Sequence, residues 1–141
     1  MPLRIDNEDE LREAQAALFN INSTSGWLLV NYVGPSTVHF AAGGEGDENE
    51  WKPLLEDDQI QYLLVRLGNI PEQNSVRDIF IKYIGFEVGI IEKGKKTAHL
   101  GDIQSLLQPF HADVTVVNKN ALDRDSLLDR SHPLSGSHVI D

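Results

Sequence analysis

The chain has 141 residues and no cysteine, with 40% hydrophobic and 24% charged residues and a formal net charge of −10. This describes one domain of ordinary size and soluble composition, without disulfides, thiolate nucleophiles or cysteine metal sites, and too acidic for nonspecific binding to nucleic acid or anionic membrane. No apolar run approaches the roughly 20 residues of a membrane span, and the opening MPLRIDNEDE lacks the basic and apolar regions of a secretory signal, so a cytoplasmic location is expected.

In DNEDELREAQAALF, Leu11, Ala14, Leu18 and Phe19 recur at helical spacing. Asn7 stands at the N-cap position, with Glu10 three residues on. An amphipathic first helix is predicted. NSTSG breaks it, and WLLVNYV and STVHF around Gly34-Pro35 read as two strands joined by a tight turn. AAGGEGDENE is too rich in glycine and acid to be ordered by packing, and EWKPLLEDD accommodates a short helix with Pro53 in its first turn. IQYLLVRL and DIFIKYIG are nearly continuous apolar runs rich in β-branched and aromatic residues, the signature of central strands covered on both faces. GNIPEQNSVR between them reads as a loop. After a glycine- and lysine-containing turn, Leu100, Ile103, Leu107 and Phe110 mark a helix that Thr97 caps and Pro109 ends. ADVTVV is a further strand, NALDRDSLLDR a last helix, and residues 131–141 a frayed tail. The order fits a single α/β domain over residues 1–130, with a sheet of about five strands and helices on both faces.

The stretch GIIEKGKKTAHLGD approximates a phosphate loop: Gly89, four residues, then Gly94 and Lys95. The next residue is Lys96, which cannot ligate Mg²⁺ as a Ser or Thr hydroxyl does, and Ile90 and Ile91 put bulk where a backbone must approach phosphate. An exposed basic corner is the simpler reading. The five histidines have none of the spacings of a metal site, no G-x-S-x-G elbow is present, and no carboxylate pair is marked out, so neither catalysis nor a cofactor is expected. The Asn22-Ser23-Thr24 sequon reads as a helix-terminating loop, and Trp27, opening a strand, as core.

Charge is unevenly distributed. Residues 1–60 hold twelve acids against Arg4, Arg12 and Lys52, while five of the twelve bases, Arg77, Lys82, Lys93, Lys95 and Lys96, fall within twenty residues. An acidic chain meets an acidic partner only through such a local patch.

Asp78 to Val117, DIFIKYIGFEVGIIEKGKKTAHLGDIQSLLQPFHADVTVV, is similar to the second half of the actin-depolymerising-factor homology (ADF-H) domain, and within that family to the coactosins. There a central strand ending in aromatic-Ile-Gly, here Tyr83, Ile84 and Gly85, leads through a basic turn to a long helix, a strand and a terminal helix. RIDNEDELREAQAALF and LLVRLGN resemble the first helix and third strand of the same family, so the resemblance reaches from residue 1 to about residue 130. It implies a mixed five-stranded sheet between helices and a non-enzymatic, monomeric protein of the actin cytoskeleton that binds filament sides. A filament-contact lysine of coactosins falls on Arg77, and the basic residue of the turn on Lys95. Arg77 keeps the charge but presents a planar fork. The implied contact set is Arg77, Lys93, Lys95, Lys96 and His99, all read as solvent-facing. A cofilin-like reading, with severing and tight monomer binding, resembles the chain less: cofilins carry an N-terminal extension and bases along the long helix, whereas here the first helix starts almost at Met1 and only His99 between Thr97 and Phe110 can be basic. A phosphate-binding enzyme built on Gly89–Lys95 is the remaining alternative.

Overall fold

The computed structural model of the protein describes residues 3–20, 23–68, 76–131 and 139–140. Along them run β1 (Arg4–Ile5), α1 (Glu8–Leu18), β2 (Gly26–Tyr32), β3 (Thr37–Gly44), α2 (Glu48–Trp51), β4 (Ile60–Leu67), β5 (Arg77–Ile84), α3 (Ile90–Thr97), α4 (Leu100–Leu107), β6 (Ala112–Val116), α5 (Arg124–Arg130) and β7 (Val139–Ile140), with 3₁₀ turns at Lys52–Leu54 and Lys119–Ala121. The sheet order is β1-β3-β2-β4-β5-β6-β7. The β2–β3, β2–β4 and β4–β5 pairs are antiparallel, and β1–β3, β5–β6 and β6–β7 are parallel. The five long strands are those expected from the sequence, and a two-residue strand closes each edge.

The near-continuous apolar runs become the two central strands because both faces are covered. On one face Leu28, Val30, Leu64 and Phe80 pack under Leu11 and Leu18 of α1 and Ile103 and Leu107 of α4. On the other, Trp27, Leu63, Ile79, Ile81 and Val114 pack under Trp51 and Leu127. Asn7 holds the N-cap position of α1 but makes no cap bond with its side chain. Instead its carboxamide accepts from Phe40 N at 2.8 Å and donates to Phe40 O at 3.1 Å, imitating a strand residue beside β3. A buried pair ties the other end of the sheet: Arg66 donates to both carboxylate oxygens of Asp78, at 2.7 and 2.9 Å, and through Nη1 to Asn20 O and Ser23 O.

Two segments depart from the sequence reading. Ala41–Gly44 is ordered after all: it continues β3, with Trp27↔Gly44, Leu28↔Gly43 and Leu29↔Ala42 in register and a one-residue bulge at Ala41. Glycine is needed there, since a Cβ on Gly44 would strike the Trp27 ring and the Glu50 carboxylate that accepts the Trp27 Nε1 proton at 2.9 Å. The lysine-bearing turn is itself helical. Its α3 is tightened against α4 at Ala98–His99, where His99 N donates to Lys96 O, and Thr97 is not a cap but donates Oγ1 to Lys93 O at 2.7 Å. Of the expected tail, residues 132–138 and 141 lie outside the described residues, and Val139–Ile140 pairs with β6.

The glycines give a two-sided test. A Cβ on Gly85 would collide with the Asp57 carbonyl, whereas Gly94 in α3 and Gly101 in α4 have open space around them. Gly85→Ala is expected to lose about 2–3 kcal/mol in urea unfolding, and Gly94→Ala and Gly101→Ala to gain about 0.5–1 kcal/mol each.

Candidate functional site

Of the five residues expected to face a partner, three point inward. Arg77 opens β5 with its side chain on the α5 face of the sheet, 6% exposed, donating from Nη1 to Leu128 O at 2.9 Å and to Ser131 Oγ at 3.0 Å. It closes the C-terminus of α5, where free carbonyls favour a cation. The α3–α4 arm covers the opposite face, so the structure separates Arg77 from the lysines that the sequence places beside it. Lys96 and His99 are likewise 6% exposed. Lys93 is half-buried and Lys95 exposed. Lys82, counted in the same charge cluster, is buried among the residues under α4, and burial lowers its pKa.

The inner side of α3 is a hydrogen-bonded cluster. Lys96 Nζ lies 2.9 Å from Glu92 Oε1 and 4.0 Å from the centre of the Tyr32 ring, so its charge is met by a carboxylate and a π face. The Tyr32 hydroxyl is 2.8 Å from His99 Nδ1 and 2.8 Å from the Tyr62 hydroxyl. Burial pushes Tyr32 far above the ordinary phenol range, with Tyr62 and Glu92 adding to it, and burial raises Tyr62 against the opposing bond from Tyr32. Burial also lowers the His99 pKa. The resting cluster is two neutral phenols and a neutral imidazole.

The outer side is apolar with a basic margin. Ile90 is 86% and Ile91 75% exposed, and Phe86 in the preceding turn 72%. Lys95 and Ile91 border a groove of about 510 Å³ between α3 and the β2–β3 turn, which Tyr32, Pro35 and Gln59 complete. These three hydrophobic residues are absent from the set expected on sequence. The signal was there: Leu107, Ile103, His99 and Lys96 form the buried helical phase, and continued backwards it leaves Ile90 and Ile91 outside. The stretch read as an approximate phosphate loop is helical: Lys93 N donates to Gly89 O at 3.0 Å and the residues from Ile90 to Thr97 form α3, so Gly94 and Lys95 lie within a helix rather than in a loop. Among the described residues no group of three or more metal-ligating side chains is assembled, and no helix is long and apolar enough to cross a membrane.

The model of the family described as cofilin/tropomyosin-type actin-binding protein matches residues 4–132. Comparison with curated protein sequences gives no match. Among solved structures, human coactosin-like protein superposes with a TM-score of 0.79 at 18% identity, over 92% of this chain and 97% of that one. Mouse coactosin, described as an actin filament binding protein, gives 0.74 at 17% identity over 97% and 95%. A cofilin of Streptomyces griseoflavus gives 0.75 at 9% identity over 91% and 96%. At these identities the likeness is one of fold.

Two predictions separate buried from exposed cations. Arg77→Glu is expected to destabilise the protein by about 3 kcal/mol in thermal or urea unfolding, because it places a carboxylate against the α5 carbonyls, while Lys95→Glu stays within about 0.5 kcal/mol of the parent. Lys82→Met removes a charge whose protonated form is disfavoured by the fold. Since the folded pKa lies below the unfolded one, the native state gains stability as pH rises through that interval. The melting temperature of the Met variant should therefore exceed the parent's at pH 7, with the gap narrowing as the pH approaches the ordinary lysine range.

Proposed function

The chain belongs to the family of cofilin/tropomyosin-type actin-binding proteins, and we propose that within it this protein is a cytoplasmic, monomeric side-binder of actin filaments. One observation carries this reading: Ile90 and Ile91 stand exposed on α3 with Lys93 and Lys95 beside them. An apolar centre with a cationic rim suits an acidic protein surface, the centre supplying affinity and the rim orientation and approach rate. The contact set carried forward from the sequence is therefore Lys93 and Lys95, joined by Ile90 and Ile91. Arg77, Lys96 and His99 support the scaffold from inside.

Filament-side binding without severing is favoured by where the cations stop. Beyond Lys96 the exposed polar residues along α4 and its C-cap are Asp102, Ser105 and Gln108, an uncharged to acidic surface that offers no cation to hold a second acidic subunit. A cofilin-like activity, with severing and tight monomer binding, has one observation on its side: Lys93 and Lys95 belong to the helix itself rather than to a turn before it.

Co-sedimentation tests the reading. The protein should pellet with filaments at low salt and less well above physiological salt, where charges are screened beyond about 8 Å. Lys93→Glu/Lys95→Glu and Ile90→Ser/Ile91→Ser should each lower filament affinity by about tenfold or more. Folded parent protein that stays in the supernatant at low salt would refute it. Time-lapse microscopy in which breakage rises with added protein, or tight monomer binding in a spectroscopic titration, would move the assignment to the cofilin-like activity.

A further inference from the structure

The groove of about 510 Å³ between α3 and the β2–β3 turn, which Tyr32, Pro35, Gln59, Ile91 and Lys95 line, has the size of a small-molecule site. Such sites join apolar walls to a few convergent polar groups and are largely formed before the ligand arrives. Here the walls are held from behind. The Tyr32 hydroxyl is 2.8 Å from both His99 Nδ1 and the Tyr62 hydroxyl, and Val33 N closes the turn by donating to Thr37 O at 2.9 Å. Glu92 and Lys96, on the α3 side, hold each other at 2.9 Å. A ligand entering this groove orders little of the protein, which keeps the entropic cost of binding low.

The polar groups of the groove differ in what they have left to offer. Lys96 is engaged by Glu92 and by the Tyr32 ring. Lys95 is exposed and has no hydrogen-bond or ion-pair partner among the described residues, and the side-chain amide of the half-buried Gln59 has none either. Tyr32 and Pro35 contribute rings, and Ile91, 75% exposed, an uncovered aliphatic chain. The site therefore combines apolar walls with one unspent positive charge and one unspent amide. Two features narrow the ligand further. Glu92 lines the same groove and disfavours a dianion such as phosphate, and in a chain of net charge −10 a lone charge is drawn in weakly. An anion gains here when it brings apolar area of its own.

We propose that this groove is a binding site for small aromatic monocarboxylates, the flat ring lying among Tyr32, Pro35 and Ile91 and the carboxylate accepting from Lys95 Nζ and the Gln59 carboxamide. The site shares Ile91 and Lys95 with the filament-facing surface proposed above. Competition between ligand and filament is the one consequence that rests on that function; the site itself does not.

The deciding experiment accordingly contains no actin. Naphthoate is titrated into the protein at neutral pH and followed by amide NMR shifts. Saturable shifts centred on Gly34, Gln59, Ile91 and Lys95 are expected, with a Kd of about 1 mM or tighter. Naphthamide keeps the ring and loses the charge, acetate keeps the charge and loses the ring, and each should bind at least about fivefold more weakly. Lys95→Gln should reduce naphthoate to the level of naphthamide, Ile91→Ser should weaken both ring ligands by about fivefold, and Lys52→Gln, remote from the groove, should change neither. Ile91 and Lys95 are exposed, so their variants stay folded. Shifts that fail to saturate or that spread over the sheet, naphthamide binding as tightly as naphthoate, or an unchanged naphthoate affinity in Lys95→Gln overturns the proposal. Filament pelleting is a separate result that none of these outcomes alters.

Discussion

The buried Arg66–Asp78 pair ties together several parts of this fold. Desolvating two charges costs several kcal/mol per ion, and the cost is offset only when geometry is good and the remaining donors and acceptors are used. Both conditions hold. The guanidinium meets the carboxylate in a two-point fork, sends its remaining reach to Asn20 O and Ser23 O, and lies 5.7 Å over the Phe19 ring. The Asp78 backbone donates to His111 Nδ1 and accepts from His111 N. One pair therefore fixes the relative positions of β4 and β5, the link from α1 to β2, and the entry into β6. Two chain crossings that could slide independently are pinned to the same two residues.

What was legible in the sequence follows from how many neighbours each segment needs. β4, β5 and α4 announce themselves because their own periodicity states which faces are covered. The β2–β3 hairpin is equally local, with Gly34-Pro35 at its turn. Ala41–Gly44 is not: small residues and glycine argue for a loop, and only the bulk of Trp27 across the pair makes them the right residues for a strand. The first helical segment of the arm was hidden for a related reason. Gly94 and three lysines depress the apolar signal, and the segment is helical with Glu92 meeting Lys96 one turn on and the Lys96 ammonium over an aromatic ring of β2.

Charge was the least readable property of the candidate site. A run of bases in an acidic chain looks like a surface patch, yet three of the five bases between Arg77 and Lys96 are buried, in three different settings. Arg77 finds a helix carbonyl and a hydroxyl, Lys96 an acid and a ring, and Lys82 has no hydrogen-bond or ion-pair partner among the described residues. None of those partners is near in sequence to its base except Glu92, so spacing cannot reveal them. The same burial makes the solvent-facing surface more acidic than the sequence average. On α3 two lysines and an isoleucine pair stand against a negative background, a narrower feature than a broad basic patch.

The carboxamide of Asn7 beside β3 bears on how the molecule behaves in company. An open edge strand is a template on which another copy can lay its own backbone. Here β1 takes up Thr37 and Val38, and the Asn7 side chain takes both the N–H and the C=O of Phe40. What remains, Ala41 to Gly44, offers short side chains and two glycines, a weak surface for strand addition. Copies held close together on a common support would thus find little free backbone along the first half of β3 on which to pair.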